Sequence, residues 1–506
     1  MKRIILVIIF CFFIFSLISA QVVNGDTLSV DGKKILKVWG THYERGYATG
    51  YIMGNNIMSL LQNYFIASLF NSSPSLYQMI RSFFLTNVSI EDKYNQEAQG
   101  MIDGMIASGN SLYSPTLQRD LDKDDILMVN SVVDMASFTE LQDKLCLGCS
   151  SLSSWGENTL DDPDLNGTLV LTRQLDWSST AELYDNHLLV VHFPAENDEV
   201  NWISFTFPGL FGTLSGINED GVCAFMNMGN IHTYTATNNL HPLLLSVRNG
   251  IESYDYNEDF VMNGLDVADA IADKLHLAGS IVHAATQESG LIVETNNSGS
   301  MVRYDSDNTV VPSDCLVATN HFRVLSNPVN CYRYANIADS LAANSNMTVE
   351  RSWNVLKGAS SVSTNMQMIE YIPACNLVNW STADPTHPAY MNVPTTFELS
   401  ELFTMPVSID NQYAKVIQVV NTYPNPFVDT ASLSFSLSQS CSVSLSIFNV
   451  RGQKLKSLVD ESRSRGSYTV LWDGRDESGQ TLPSGIYFYR FSTDYMMETG
   501  RLVLVK

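Results

Sequence analysis

Apolar residues recur along this chain with two different periods, and the change of period marks its organisation. Residues 28–144 read as a short strand followed by helices. After a Gly- and Ala-rich opening at 40–50, apolar side chains return at helical spacing at Ile57, Leu60, Leu61, Tyr64 and Phe65. Glycines in such an opening mark close packing, and no Gly-Lys-Ser/Thr ending makes it a phosphate loop. Residues 100–109 and 125–138 predict further helices. From Gly148 the pattern becomes one of strands. Residues 150–155 and 168–175 mix β-branched, apolar and hydroxyl side chains. The turn formers Asp161, Asp162, Pro163, Asp164, Asn166 and Gly167 lie between them and predict an antiparallel hairpin. Residues equidistant from its turn face each other, which sets Cys149 opposite Asp176 at the open end, with Arg173 and Trp177 close by. Strands at 187–192, 200–207 and 222–228, an amphipathic helix at 265–277 and a strand pair within 279–294 follow. Thr319-Asn320-His321-Phe322 closes another strand, and Arg333 stands at the start of a helix.

Helical pattern lapses between residues 404 and 421. Short alternating strands then recur at 431–437, 441–449, 466–472, 486–492 and 499–505, with turns at Arg451-Gly452 and 476–479. That spacing predicts a small all-β sandwich. Trp472 reads as part of its core more readily than as a sugar-stacking platform.

Composition narrows the function classes. Lys2 and Arg3 precede an apolar run over residues 4–18, and Ser19-Ala20 precede Gln21, the layout of a cleaved export signal occupying 1–20. Without Lys2 and Arg3 the formal charge of −24 becomes −26, 27 basic against 53 acidic residues, so nucleic acid is an unfavoured partner. Hydrophobic content of 45% with 10% aromatics supports large cores, and 506 residues exceed one ordinary domain. Seven cysteines follow the signal, an odd number that leaves at least one unpaired within an exported chain. The nine histidines form no His-Glu-x-x-His, and Cys146-Leu147-Gly148-Cys149 is a lone Cys-x-x-Cys without a second pair, so neither a metal nor a cofactor is expected.

Cys149 is the candidate nucleophile. A cut between Gly148 and Cys149 leaves one residue with both a thiol and an α-amine of unperturbed pKa about 8, and that amine can take the thiol's proton. A buried structural cysteine is the alternative. Cys146 is a rival nucleophile, but Leu145 before it suits a strained scissile turn less than Gly148.

Gly148-Cys149-Ser150-Ser151, Trp155-Gly156 and Thr172-Arg173-Gln174-Leu175-Asp176-Trp177 resemble the start of the mature chain in N-terminal nucleophile hydrolases of the peptidase C45 type. That group includes the acyl-coenzyme A:6-aminopenicillanic acid acyltransferases, and its relatives are the choloylglycine hydrolases, penicillin V acylases and acid ceramidases. The residues at 40–50 also resemble the segment that precedes the cut in that family. The resemblance implies an αββα sandwich, self-cleavage before Cys149 and attack on a small-molecule carboxylic amide through a thioester. It implies Arg173, Asp176 and Arg333 as active-site residues, and Asn320 and Asn218 as oxyanion donors, Asn218 from the turn Asn218-Glu219-Asp220-Gly221. The family usually has Asn where this chain has Gln174. Read without the resemblance, the turn is only a hairpin turn and Arg333 a surface ion-pair partner; His321 is left unassigned.

Tyr423-Pro424-Asn425-Pro426-Phe427, Asn449-Val450-Arg451-Gly452-Gln453, Trp472-Asp473-Gly474, Ser484-Gly485-Ile486-Tyr487 and the final Lys506 resemble the C-terminal sorting domain of type IX secretion. That implies the type IX machinery as a partner and export across an outer membrane. The expectation is an α+β chain: signal at 1–20, a segment at 21–148 released by self-cleavage, the αββα core at 149–410, a linker at 411–422 and an immunoglobulin-like β-sandwich at 423–506. Alternatives within the superfamily are a dipeptidase or a phospholipase B-like lipid hydrolase; outside catalysis, the alternative is an inactive, surface-displayed binding protein.

Overall fold

The computed structural model describes residues 22–141, 148–229, 239–307, 310–326, 328–406, 417–437, 441–464, 466–493 and 497–506. The expected signal at 1–20, Cys146 and residues 411–416 of the expected linker lie outside them. The chain divides into two compact units, up to Thr404 and from Met405.

The first unit opens with strands β1 (Gly25–Val30) and β2 (Lys33–Gly40) and helix α1 (His42–Ser59). Thr41 caps α1: its hydroxyl accepts from the Glu44 N–H, while the Glu44 carboxylate accepts from the Thr41 N–H at 2.8 Å. A π-helical stretch (Leu60–Leu69) continues α1, and α2 (Pro74–Asn87), α3 (Asp92–Ala107) and α4 (Lys123–Val129) follow. α1 and α3 touch backbone to backbone. A Cβ at Gly46 or Gly50 would run into the carbonyls of Glu97 and Met101, and one at Gly100 or Gly104 into those of Tyr43 and Tyr47.

Next come β3 (Gly148–Ser154), β4 (Val170–Asp176), β5 (Leu188–Pro194), β6 (Trp202–Thr206), β7 (Ser215–Asn218) and β8 (Cys223–Met228). Helices α5 (Leu243–Glu252) and α6 (Gly264–Ala272) lead to β9 (Ser280–Ala285), β10 (Gly290–Asn296), β11 (Gly299–Arg303) and β12 (Cys315–Ala318). Helices α7 (Tyr332–Ala343) and α8 (Val349–Ser360) precede β13 (Asn365–Ile372), β14 (Leu377–Thr382) and β15 (Thr395–Glu398).

These strands form two sheets, β1-β2-β5-β6-β7-β8-β9-β10-β11 and β12-β3-β4-β13-β14-β15. β3 packs on β8 across the interval between them, α5 and α6 lie against the first sheet, and α7 and α8 against the second. The result is the expected αββα sandwich. The central strands of both sheets are covered on both faces and buried throughout, so period-two alternation is blunted in β4, β5 and β9.

Residues before Cys149 are integral to this sandwich. β2 pairs in parallel with β5 from Lys34↔Leu188 to Gly40↔Pro194. Buried ion pairs cross the same divide: Arg45 to Glu199 at 2.9 Å, His42 to Glu199 at 2.7 Å and Arg248 to Glu97 at 2.7 Å. The expected release of residues 21–148 therefore needs a sheet to lose two strands and a buried charge cluster to open.

The second unit holds sheets of β16 (Ile417–Tyr423), β17 (Ala431–Leu437) and β20 (Gly466–Trp472), and of β19 (Lys454–Arg463), β18 (Cys441–Phe448), β21 (Gly485–Thr493) and β22 (Met497–Leu504). β16 takes up residues 417–422 of the expected linker, and β19 is a strand absent from the expectation. Leu433, Leu445, Ile447, Trp472 and Phe491 fill its core, and the Trp472 indole donates to the Arg475 carbonyl at 3.0 Å. No helix of the described residues is long and apolar enough to cross a membrane.

Candidate active site

The hairpin of β3 and β4 builds the site. Its pairing is Gly148↔Asp176, Cys149↔Leu175 and Ser151↔Arg173, one residue from the expected register. A 3-10 turn at Gly156–Thr159 takes up part of the connection and moves the point of closure. The convergence survives the shift, because Cys149 and Arg173 both face the other sheet.

Arg173 is wholly buried, and its three contacts are a thiol, a hydroxyl and a carbonyl. Its Nη1 donates to Ser215 Oγ at 2.7 Å, and its Nη2 donates to the Met226 carbonyl at 2.5 Å and lies 3.6 Å from Cys149 Sγ. Burial raises the Cys149 thiol above its ordinary range; Arg173 opposes that rise, Asp176 adds to it, and the Met228 N–H and Arg333 favour the thiolate. In the uncut chain the Cys149 thiol is therefore held in its protonated form.

The nitrogen of Cys149 has its own acceptor. It donates to Asn320 Oδ1 at 3.1 Å, Arg333 Nη2 donates to the same oxygen at 2.5 Å, and Asn320 Nδ2 donates to the Met228 carbonyl at 2.7 Å. Arg333 Nη1 also pairs with Asp176 Oδ2 at 2.8 Å. Burial pushes the Asp176 carboxyl up to about 6, against the pull of Arg333 and Asn365. A side chain at position 148 would meet Asp176 Oδ2 at 3.0 Å and Arg333 Nη2 at 3.2 Å, so anything larger than glycine before Cys149 has to push this charge pair aside by a few tenths of an ångström.

Five of the six expected residues thus stand together: Cys149, Arg173, Asp176, Asn320 and Arg333. Asn218 does not join them. Its Nδ2 donates to the Ile251 carbonyl at 3.1 Å and its Oδ1 accepts from Val222 N–H at 2.9 Å, which fixes its own turn against α5. The backbone N–H of Met228 instead faces the Cys149 sulfur and favours its thiolate. Gln174 faces the opposite way, accepting from Ser360 Oγ at 2.8 Å and donating to Ser361 Oγ at 2.8 Å, so it tethers the end of α8. Asn365, which donates to Asp176 Oδ1 at 3.3 Å, had no signal in the sequence.

One group among the described residues has the composition of a metal site: His42, Glu199 and Glu252 bring ligand atoms within 4.8 Å of one another. Arg45, Lys93 and Arg248 already neutralise its carboxylates, at 2.9, 2.8 and 2.7 Å. Charge balance there is met by side chains.

Residues 421–495 match the FlgD Ig-like domain family. The chain is similar to protein dcd1B of Dictyostelium discoideum, 24% identical over 211 residues, 40% of this chain and 39% of that protein. It spans 39% and 33% of the lengths of the two curated relatives it matches. A solved structure of an N-acylethanolamine-hydrolyzing acid amidase ortholog from Caenorhabditis elegans is 15% identical with a TM-score of 0.33, over 50% of this chain and 100% of that one. For penicillin V acylase from Agrobacterium tumefaciens the values are 12% and 0.31, over 46% and 83%. The four layers described above form an αββα sandwich with a cysteine at the head of an inward-facing strand, and an immunoglobulin-like sandwich follows.

Proposed function

We propose that this chain is an exported, self-processing cysteine amidohydrolase or acyltransferase of the peptidase C45 type, acting on carboxylic amides. The observation that carries this reading is the meeting of Arg173, Asn320 and the Arg333–Asp176 pair around the sulfur and nitrogen of one residue, Cys149.

In self-cleavage, Cys149 Sγ attacks the Gly148 carbonyl, the peptide bond becomes a thioester, and water hydrolyses it. Cys149 N is then an α-amine beside Asn320. In turnover this amine takes the thiol proton as sulfur attacks the substrate carbonyl. Met228 N–H and Asn320 Nδ2 hold the oxyanion, where one such donor is worth about 3–4 kcal/mol. Collapse breaks the C–N bond, the ammonium of Cys149 returns its proton to the departing amine, and water or a second amine takes the acyl group from the thioester. Arg173 anchors the sulfur, and Arg333 with Asp176 orients Asn320 and the amine. The cut leaves two chains joined by β2–β5 pairing and the His42 charge cluster.

For the second unit we propose the type IX sorting role, with the secretion machinery as partner. Its spaced motifs and its immunoglobulin-like sandwich support that reading. The enzymatic claim is tested by assaying the protein and its Cys149→Ala variant on an N-acyl amino acid, a dipeptide and a phospholipid. Amide cleavage by the wild type alone supports it, and undiminished cleavage by the variant refutes it.

A further inference from the structure

Behind Cys149 the two sheets are joined by hydrogen bonds between side chains. The inner face of the first sheet presents Ser215 on β7, Asn227 on β8 and His283 on β9, and each bonds a side chain of β3 or β4. Ser215 Oγ accepts from Arg173 Nη1 at 2.7 Å, and Asn227 Nδ2 donates to Ser151 Oγ at 3.1 Å. His283 bridges two β3 hydroxyls, with Nδ1 2.9 Å from Ser151 Oγ and Nε2 2.8 Å from Ser153 Oγ. Ser151, Ser153, Ser215, Asn227 and His283 are all wholly buried.

Burial, then the Arg303 charge, holds the His283 imidazole down at about 3, so the ring is neutral and has one donor and one acceptor. With the ring proton assigned to Nε2 the bonds form a one-way chain. Asn227 Nδ2 gives to Ser151 Oγ, the Ser151 hydroxyl gives to His283 Nδ1, and Nε2 gives to Ser153 Oγ. Ser151 is thereby held by two strands of the first sheet, and it lies two residues from Cys149 on the same face of β3. Asn227 stands between two residues whose backbones meet the site. The Met226 carbonyl accepts from Arg173 Nη2 beside the Cys149 sulfur; the Met228 N–H favours the thiolate, and the Met228 carbonyl accepts from Asn320 Nδ2. Asn227 Oδ1 has no partner, so the bond to Ser151 is what holds that side chain. A buried polar chain costs desolvation that apolar packing avoids, and in exchange it fixes one register between the sheets.

We infer that His283 is a positioning residue for the nucleophile: through Ser151 and Asn227 it fixes the edge of β8, from Met226 to Met228, in its place against Cys149. This rests on the reading of Cys149 as the nucleophile and adds what holds the groups around its sulfur.

The test is the pH profile of Cys149 alkylation by iodoacetamide, located by peptide mass, which reads the thiolate without a substrate. Arg173, Asp176 and Arg333, the charged groups at that thiol, are unchanged in every variant. In His283→Leu the edge of β8 is released, and alkylation at pH 8 is expected to slow by about 3–10-fold as the profile moves to higher pH. His283→Gln, which offers one donor and one acceptor, is expected to recover most of the rate. Asn227→Ala is expected to match His283→Leu, and the double variant to lose no more than either alone, because both break one chain. Thr172→Ala removes a wholly buried hydroxyl from the opposite face of β4, where it bonds Ser352. It is expected to lower the melting temperature and leave the profile unmoved. A wild-type profile in His283→Leu, losses that multiply in the double variant, or the same displacement in Thr172→Ala overturns the inference. Displacement in a protein that cleaves neither the N-acyl amino acid nor the dipeptide supports the positioning and counts against the amidohydrolase reading. Amide cleavage with an unmoved profile does the reverse.

Discussion

Arg333 Nη1 lies 2.8 Å from Asp176 Oδ2, joining the end of β4 to the first turn of α7 directly behind the Gly148-Cys149 bond. Burial still holds the Asp176 carboxyl at about 6, so Arg333 only limits the rise. Removing the cation pushes that carboxyl higher. In Arg333→Gln the acid limb of the kcat/KM profile is expected to move to higher pH; an unmoved limb separates Asp176 from the chemistry.

Asn320 and Asn218 make a matched pair of substitutions. Asn320 contacts the Cys149 nitrogen at 3.1 Å, while Asn218 binds only its own turn and Ile251. Asn320→Ala is expected to lower kcat by about 10²–10³-fold. Asn218→Ala is expected to cost about 1–3 kcal/mol of stability while leaving kcat near wild type. Steady-state kinetics and thermal melts on both variants decide it, and the reverse pattern would return Asn218 to the site.

The His42 cluster gives the joined halves a pH dependence. Burial works against the imidazolium, but hydrogen bonds to Glu199 and Glu97 outweigh it and raise His42 above 6.5. A raised folded value means stabilisation that is complete below about 6.5 and lost as pH climbs through that folded value. Asp134 and Glu370, each pushed by burial to about 7, also lose native-state protonation as pH rises, so the wild-type slope alone is composite. The difference from His42→Gln isolates the imidazole. Denaturant midpoints of the two are expected to converge between neutral and alkaline pH; parallel curves count against the imidazolium.

The α1–α3 contact makes a steric claim. Gly50→Ala drives a Cβ into the Met101 carbonyl and is expected to cost about 1–3 kcal/mol or more. Gly358, in α8, has nothing within 4 Å of its would-be Cβ, so Gly358→Ala is expected to stabilise by about 0.5–1 kcal/mol. Thermal midpoints that move the same way for both contradict that packing.

What was legible in the sequence was mostly local. The hairpin carries Cys149, Arg173 and Asp176 within one turn's reach, so their meeting could be read to within one residue of register. Asn320 and Arg333 came through family resemblance, since nothing in their own surroundings distinguishes them. Asn218 shows what local reading gives: its turn was legible, whereas its hydrogen bonds to Ile251 and Val222 hold it to that turn and away from the Cys149 contacts. Met228 faces the Cys149 sulfur with its backbone, and Asn365 arrives from a distant strand across a register shift, so neither leaves a mark in spacing or composition. The parallel β2–β5 pairing that ties residues before Cys149 into the first sheet is likewise nonlocal and has no mark in the sequence. In the second unit β19 escaped because it is a sheet-edge strand with one fully buried residue, Val459, among its charges, so it lacks apolar alternation.

The most direct test of the account is the intact mass of the purified protein beside Cys149→Ala, under denaturing and native conditions. Two fragments meeting at the Gly148-Cys149 bond, copurifying until denatured, against a single uncut chain in the variant, is the expected result. One unbroken chain in both proteins, or the same cut in both, contradicts a nucleophile that makes its own α-amine.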